Sequence, residues 1–128
     1  MGREMPATLK GATVLIAEDN ALQAWDLKLL FKAQGAVVLG PVKSVTDALS
    51  IANTEQLNCA VLDVMLGQDN VFPVAQLLNK RGIGIVFYTG TGNISTLKQD
   101  YPNAQIMGKP ASATDMIEAV QVASRLQR

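Results

Sequence analysis

The stretch Cys59-Ala60-Val61-Leu62-Asp63 determines how the rest of this chain can fold. A short, unbroken run of apolar and small residues is typical of a strand buried on both faces, as in a parallel sheet covered by helices. A carboxylate inside such a strand would be costly to bury, so Asp63 is expected at the carboxyl end of the strand. In open parallel sheets, ligands bind in the crevice outside that end of the strands.

A second stretch of sequence has the same design. Residues 12–17 are apolar apart from Thr13, and Glu18 and Asp19 follow directly. If both strands are central and parallel, Glu18, Asp19 and Asp63 converge on one patch, where their like charges need a compensating cation. Mg²⁺ is a hard cation that prefers oxygen ligands, so the three acids predict a magnesium site. The alternative interpretation is that the acids after these strands only cap helices or occupy their first turns.

Five apolar stretches alternate with stretches of helical pattern, which is typical of α/β domains built on a parallel sheet. The strands are predicted at about residues 12–17, 37–40, 59–63, 83–88 and 104–107. The helices are predicted at about residues 21–34, 45–54, 71–80 and 113–126, and at most one short helix fits near residues 94–99, in a stretch poor in helix-forming pattern. Pro41 is expected to end the second strand. We therefore predict an α/β fold with a doubly wound, parallel, five-stranded sheet in a single domain, 1–128, of which residues 1–10 form a loose tail.

The composition excludes several classes of function. The 128 residues suffice for one domain with a proper core, and 48% of them are hydrophobic. Eleven basic and eleven acidic residues cancel, so charge gives no case for binding nucleic acid. There is no apolar run of membrane-spanning length and no signal-peptide core, so we expect a cytoplasmic protein that does not bind membranes. The absence of histidine rules out a Ser-His-Asp triad and histidine-based zinc sites, and the single cysteine, Cys59, is expected to be buried and inert.

Two further polar residues follow the predicted fourth and fifth strands. Thr89 ends the fourth, and Lys109 stands between Gly108 and Pro110 after the fifth. Taken singly, Thr89 fits ordinary strand propensity and Lys109 fits a solvated loop. Together with three acids at the other strand ends, they match the chemistry of phosphoryl transfer, in which Asp63 is the nucleophile and Mg²⁺ neutralises charge. Thr89 and Lys109 would stabilise the phosphoryl oxygens as charge develops.

Four motifs in this order resemble the receiver domain of two-component response regulators, the CheY-like family, and in particular single-domain receivers of alphaproteobacteria. The resemblance covers about residues 12–126 and rests on the segments Val14–Asn20, Val61–Leu66, Tyr88–Gly90 and Lys109–Pro110. It implies a flavodoxin-like (βα)5 fold with strand order 2-1-3-4-5. It also implies a phosphoacceptor signalling domain that catalyses only its own phosphorylation and dephosphorylation and is not otherwise an enzyme.

The resemblance assigns a role to each polar residue, with Asp63 as the phosphoacceptor. The implied ligands of Mg²⁺ are Asp63 itself, Glu18, Asp19 and the Met65 backbone carbonyl. The residues implied to act on the phosphoryl group are the switch hydroxyl of Thr89 and the ammonium of Lys109. The implied phosphodonor is a histidine kinase or a histidine phosphotransfer protein. We expect no DNA-binding region after residue 128 and therefore expect output through contacts with a downstream protein that the sequence does not identify.

Three features depart from the usual receiver pattern. Proline is frequent three or four residues after the phosphoacceptor, but Leu66-Gly67 stands there. An aromatic switch residue commonly lies three positions before the lysine, where this chain has Ile106. The predicted fourth helix is short or lost. These departures argue against an aromatic rotamer switch at the usual position and against output through the usual 4-5-5 face, whereas they leave the phosphorylation chemistry untouched.

Other functions remain open on the sequence. The chain could instead be a receiver cut from a hybrid kinase, or a phosphate sink. A phosphatase of the haloacid dehalogenase type also uses an aspartate nucleophile, but its motif has a second acid two residues later, where Met65 stands. A nucleotide site would rest on Gly90-Thr91-Gly92, which lacks the third glycine of the dinucleotide-binding motif because Ser95 stands there.

The first predicted helix carries two apolar stripes on nearly opposite sides. One stripe, expected to face the core, consists of Ala24, Leu27, Leu30 and Phe31. The other consists of Leu22, Trp25 and Leu29. A helix on one side of a sheet buries only one of them well, so the second is either covered by a neighbouring segment or forms an exposed patch. We predict an exposed patch with more than a third of Trp25 accessible, which binds the kinase or phosphotransfer protein or joins two copies of the chain in a homodimer.

Overall fold

The computed structural model describes residues 8–90 and 94–125, which form a five-stranded sheet covered by helices. The strands of the sheet are β1 (Thr13–Ala17), β2 (Val37–Val42), β3 (Cys59–Leu62), β4 (Gly84–Thr89) and β5 (Gln105–Gly108). The helices are α1 (Ala21–Ala33), α2 (Val45–Thr54), α3 (Phe72–Lys80), α4 (Ile94–Asp100) and α5 (Ala113–Arg125). All strand pairs of this sheet are parallel, and their order is β2-β1-β3-β4-β5. The predicted doubly wound α/β fold with strand order 2-1-3-4-5 is therefore confirmed.

The segment before β1 is held against the end of α1. Leu9 is 3% exposed, and its N–H donates to the Gln34 carbonyl oxygen at 2.9 Å. The Thr8 hydroxyl donates to the side-chain oxygen of the same glutamine at 2.7 Å. The predicted loose tail is therefore absent from residues 8–10, because an apolar side chain there joins the core. The rest of that tail, like residue 126 at the predicted end of α5, lies outside the described residues.

Helices cover both faces of the sheet, as its apolar strands require. Successive residues of a strand point to opposite faces, so Val14 and Ile16 of β1 join a core with α1 and α5. Leu15 and Ala17 join a second core with α2, α3 and α4 on the other face. Cys59 of β3 is fully buried as predicted, and burial raises the pKa of its thiol to about 12, which leaves the thiol unreactive.

The prediction that Pro41 ends the second strand is wrong, because β2 continues to Val42. Proline is tolerated in β2 because this strand lies at the edge of the sheet. The register slips so that Gly40 and Pro41 together lie opposite Ile16, which is a bulge. Gly40 has a φ of +97°, and a Cβ there would lie 2.7 Å from the Ile16 carbonyl oxygen, so glycine is required. The bulge lets the Val42 carbonyl accept the Glu18 N–H at 3.0 Å, directly beside the carboxyl end of β1.

The sequence does not predict the two-stranded antiparallel hairpin that lies between β3 and α3. In this hairpin Met65 pairs with Asn70 and Leu66 pairs with Asp69. Leu66 is 2% exposed and fixes the hairpin to the core, and Gly67 at the turn has a φ of +64°. Each strand has only two residues, which is too short for an alternating pattern to mark it in the sequence. The hairpin directly follows β3 and therefore borders the carboxyl edge of the main sheet.

The fourth helix is short, as the sequence predicts. It spans Ile94–Asp100 and buries Leu97. Tyr101, which follows it, packs edge-on against Phe87 of β4 with their ring centres 5.3 Å apart. Within residues 8–90 and 94–125, no helix is long and apolar enough to cross a membrane.

Candidate functional site

The carboxyl ends of the strands meet at one edge of the sheet and bring the predicted site residues together. β1 and β3 pair in register up to their last residues, so Glu18 and Asp63, which follow them, lie side by side. The Asp63 N–H donates to the Ala17 carbonyl oxygen at 2.9 Å and extends this pairing by one residue. Thr89 is the last residue of β4, and Lys109 directly follows β5.

Glu18, Asp19 and Asp63 form a compact acidic cluster. Each offers a carboxylate oxygen within 4.8 Å of the oxygens of the other two. Glu18 is 1% exposed, Asp63 is partly buried and Asp19 is exposed. Mg²⁺ takes few protein carboxylates and keeps several waters, so three oxygen donors with one side open to solvent suit it. The cluster is therefore able to hold a divalent cation, and its donor set fits Mg²⁺.

Lys109 brings a positive charge to the acidic cluster. Its Nζ donates hydrogen bonds to Glu18 Oε1 and to Asp63 Oδ2, both at 2.9 Å. The same ammonium lies 5.0 Å from the centre of the Tyr88 ring, within the range of a cation–π contact. The Lys109 N–H donates to the Thr89 carbonyl oxygen at 2.8 Å, which ties the start of the loop to β4. The lysine that the sequence predicts at the phosphoryl group therefore bridges two of the acids.

Burial and charge shift two pKa values in this cluster. Burial raises the pKa of Glu18 and the negative charge of Asp63 adds to the increase, while hydrogen bonds from Lys109 and from the Asn20 N–H oppose it. Burial alone would lower the pKa of Lys109, but its hydrogen bonds and charge interactions with Glu18 and Asp63 together raise that pKa. Lys109 therefore stays positively charged at neutral pH and offsets part of the repulsion among the acids.

Backbone N–H groups orient the two carboxylates that Lys109 contacts. The Asn20 N–H donates to Glu18 Oε2 at 3.1 Å, and the Asn20 side chain caps α1 by accepting the Gln23 N–H at 2.9 Å. The Met65 N–H donates to Asp63 Oδ1 at 3.2 Å. The Met65 side chain is 46% exposed, so its contribution to the site comes from the backbone.

The turn of the hairpin supplies a contact that the sequence does not predict. The Gly67 N–H donates to Asp19 Oδ2 at 2.8 Å, although the two residues are 48 positions apart. In the sequence, Gly67 indicates only that a turn follows the acid at the end of β3, because glycine is common in turns. That signal cannot identify which side chain the turn approaches, because the approach depends on the pairing of β1 with β3.

The residues predicted to contact the phosphoryl group lie at the ends of the neighbouring strands β4 and β5. Thr89 is 5% exposed and pairs with Gly108, the residue before Lys109. Ile106 also lies on β5 and is partly buried opposite Phe87. An isoleucine has no ring to rotate, so the side chain at this position does not act as an aromatic switch.

The second apolar stripe of α1, here called the α1 patch and consisting of Leu22, Trp25 and Leu29, is exposed. The exposed fractions are 72% for Leu22, 54% for Trp25 and 49% for Leu29, which confirms the prediction for the tryptophan. The Lys28 Nζ lies 5.5 Å from the centre of the Trp25 ring. The buried residues on the opposite side of the helix are Ala24, Leu27 and Phe31.

A cavity of about 430 Å³ lies next to the α1 patch, between α1 and the start of α5. Its apolar lining consists mainly of Leu27, Leu29, Leu30, Tyr88, Ala111 and Met116. Leu29 belongs to both the cavity and the α1 patch, and Tyr88 also faces the Lys109 ammonium. The cavity thus extends from the exposed face of α1 to Tyr88, whose ring contacts the Lys109 ammonium.

No protein-family model matches the chain. Among curated proteins, it is similar to the transcriptional regulatory protein PdtaR of two Mycobacterium tuberculosis strains. The identity is 27% over 113 residues, which make up 86% of this chain and 55% of the relative. The chain thus spans about half the length of the curated relatives it matches.

Several solved structures have a fold similar to that of this chain over nearly its whole length. A response regulator receiver protein from Sinorhizobium medicae has a TM-score of 0.83 and 22% identity, and the match covers 94% of this chain and 99% of that one. The signal receiver domain of a modulated diguanylate cyclase from Desulfovibrio desulfuricans has a TM-score of 0.78 and 25% identity, with 91% and 95% covered. A CheY-like receiver domain protein from Methanospirillum hungatei has a TM-score of 0.79 and 18% identity, with 91% and 95% covered. The chain therefore has the fold of the CheY-like receiver domains of response regulators.

Proposed function

We propose that this chain is a phosphoacceptor receiver, which takes a phosphoryl group onto Asp63 from the phosphohistidine of a histidine kinase or a histidine phosphotransfer protein. One observation carries the proposal: the Lys109 ammonium bridges Glu18 and Asp63, 2.9 Å from each, at the carboxyl edge of a receiver-type sheet. This arrangement supplies a nucleophile, a cation site and a positive charge for the phosphoryl oxygens, which phosphoryl transfer needs.

In the proposed reaction, a carboxylate oxygen of Asp63 attacks the phosphorus atom while the bond from phosphorus to the imidazole nitrogen of the donor breaks. The electron pair of that bond leaves with the imidazole, and the product is an acyl phosphate on Asp63. The Met65 N–H, 3.2 Å from Asp63 Oδ1, orients the carboxylate for attack. The Lys109 ammonium and the Thr89 hydroxyl are the proposed donors to the phosphoryl oxygens.

The proposed ligands of Mg²⁺ are Glu18, Asp19, Asp63 and the Met65 backbone carbonyl. When bound, the ion neutralises negative charge on the carboxylates and the phosphoryl oxygens. Lys109 hydrogen bonds to Glu18 and Asp63, so the ion would mainly compensate the negative charge of Asp19. Asp19 is also the most exposed of the three, which keeps the desolvation cost of the site low.

The metal site predicts a change in thermal stability. We expect Mg²⁺ to raise the melting temperature by mass action, on the order of 2–3 kcal/mol in unfolding free energy at a hundredfold excess over Kd. Asp19→Ala should abolish this increase. The metal-free variant should be about as stable as the wild type, because relief of like-charge repulsion offsets the lost hydrogen bond from Gly67. Thermal unfolding at increasing Mg²⁺ concentration measures both effects.

Asp69→Ala is the matched control for this experiment. Asp69 is an exposed aspartate on the hairpin that does not belong to the acidic cluster, so its removal should leave the response to Mg²⁺ unchanged. An increase in melting temperature that survives in Asp19→Ala would show that the metal binds elsewhere.

The α1 patch is the proposed docking surface for the phosphodonor, although a second copy of the chain is an alternative occupant. Trp25 is a large, rigid side chain of the kind that anchors interfaces, and it is more than half exposed. The adjoining cavity extends the apolar surface from Leu29 to Tyr88, whose ring contacts Lys109, and Lys109 hydrogen bonds to Asp63. A donor bound on this face would therefore carry its phosphohistidine close to the acceptor.

Trp25→Ala should weaken phosphotransfer from the protein donor far more than labelling by acetyl phosphate. The expected loss in binding is about 1–3 kcal/mol, because the anchor is removed while the site itself is untouched. The measurement compares the two labelling rates over a range of donor concentrations.

Val37→Ala is the control for the Trp25 experiment, since Val37 is 57% exposed on the edge strand β2 and not on α1. It should leave both rates unchanged. If Trp25→Ala lowered both rates equally, the substitution would be acting on the fold or on the chemistry at Asp63, and the proposal that Trp25 binds the donor would be wrong.

The proposal includes output through contacts with a downstream protein in the cytoplasm, without binding to nucleic acid or membranes and without turnover of other substrates. Two alternatives would use the same site: a receiver that belongs to a hybrid kinase, and a phosphate sink. They differ from the proposed function only in the proteins that exchange phosphoryl groups with the chain. A phosphatase with an Asp63 nucleophile would differ in chemistry. Stable acetyl phosphate labelling supports the receiver, whereas steady phosphate release from small phosphomonoesters without such labelling supports the phosphatase.

A further inference from the structure

Lys109 contacts two of the three acids of the cluster, whereas the third is held by a backbone group. Glu18 is buried and hydrogen bonds to Lys109, and Asp63 is partly buried and also hydrogen bonds to Lys109. Asp19 is exposed, and within the described residues its carboxylate accepts a hydrogen bond from the Gly67 N–H at 2.8 Å. Without that bond, an exposed aspartate would sample several rotamers and would lose this freedom on binding a cation.

We infer that the Gly67 backbone N–H is a positioning group for metal binding: it holds Asp19 in the cluster before the cation arrives. The inference rests on the proposed function, since it assumes that Asp19 is a metal ligand. Partners that orient a metal ligand contribute to affinity because they lower the cost of ordering it.

The hairpin gives this N–H a fixed position. Two pairs of residues join the strands on either side of the turn: Met65 pairs with Asn70, and Leu66 pairs with Asp69. Leu66, which is 2% exposed, anchors the hairpin in the core one residue before Gly67. The donor is therefore supported by packing and by strand pairing, and it does not depend on a free loop.

Glycine suits position 67 because of the backbone conformation there, and not because a side chain would lack room. Its φ is +64°, a conformation that most side chains avoid, yet a Cβ there would meet no atom within 4 Å. Proline, which receivers often carry at this distance from the acceptor, has a fixed negative φ and no N–H to donate. The contact between Gly67 and Asp19 is thus available to this chain because it departs from that pattern.

The inference couples the hairpin to the metal. This coupling is reciprocal. If the hydrogen bond from Gly67 raises the affinity for the metal by some factor, then bound metal favours the hairpin conformation that makes the bond by the same factor. Removing the donor should therefore weaken Mg²⁺ binding even though no metal ligand is changed.

The test replaces residue 67 by glycolic acid, which turns its N–H into an ester oxygen and keeps the conformational freedom of glycine. We expect the Kd for Mg²⁺, measured by calorimetry, to rise about tenfold. The same ester change at Gln68 is the matched control, because the N–H of that residue is not the donor to Asp19. Gly67→Asn keeps the N–H and tolerates a positive φ, so it should bind Mg²⁺ nearly as well as the wild type.

A second readout needs no metal. The Gly67 amide hydrogen should exchange slowly with solvent in the metal-free wild type and faster in Asp19→Ala, as measured by NMR. Equal exchange rates, or an unchanged Kd in the ester at residue 67, would overturn the inference while leaving the proposed function intact. A wild-type protein that binds no Mg²⁺ would overturn both. A loss of thermal stability in the ester at 67 that exceeds the loss in the ester at 68, without loss of Mg²⁺ affinity, would reduce Gly67 to a structural role.

Discussion

Asp63→Asn is expected to abolish the covalent uptake of a phosphoryl group from acetyl phosphate in the presence of Mg²⁺. The amide has nearly the shape of the carboxylate, but it is not a nucleophile and carries no charge. The rate should fall by at least a factor on the order of a hundred, as is usual when a nucleophile is removed. Lys109 should keep its hydrogen bond to Glu18, which is 2.9 Å long in the wild type, so the fold should be retained. Intact-protein mass spectrometry detects the added phosphoryl group.

Asp69→Asn is the control for this substitution. It makes the same chemical change at an exposed aspartate on the hairpin, six residues away in sequence, and should label like the wild type. If Asp63→Asn took up phosphate as fast as the wild type, the phosphoacceptor would have to be another residue. Circular dichroism of both variants would establish that any loss of labelling does not come from unfolding.

Gly84→Ala is expected to have the largest effect on stability. Gly84 begins β4 and is buried under α5, and an added Cβ would lie well inside the van der Waals distance of the Ala123 carbonyl oxygen. A backbone atom in a helix cannot rotate away as a side chain can, so either α5 or β4 must shift. Overpacking of this kind costs about 3 kcal/mol or more, which corresponds to roughly 10 °C in melting temperature.

Gly108→Ala is the matched control, because Gly108 also lies in a strand but a Cβ there would meet no atom within 4 Å. Its effect on the free energy of unfolding should stay within about 0.5 kcal/mol. Denaturant unfolding at equilibrium measures both variants. A Gly84→Ala protein as stable as the Gly108→Ala protein would mean that α5 packs less closely on β4 than the structure indicates.

The sequence by itself determines the sheet and the location of the site. The apolar run that ends in Asp63 and the run that ends before Glu18 each predict a buried strand with an acid at its carboxyl end. This prediction works because it depends on neighbouring residues: burying a charge is costly, so the carboxylates mark the ends of the strands. The exposure of Trp25 also follows from a local pattern, since two opposite apolar stripes on one helix cannot both face the sheet.

The contacts within the site could not be predicted from the sequence. The hydrogen bond from Lys109 to Glu18 joins residues 91 positions apart, and the bond from Gly67 to Asp19 joins residues 48 positions apart. Neither leaves a periodic signal. The bulge at Gly40 and Pro41 is similar, because proline tolerance in β2 depends on that strand being at the edge of the sheet. Local sequence specifies which residues end the strands, whereas strand order and register decide which of these ends meet and which polar groups satisfy one another there.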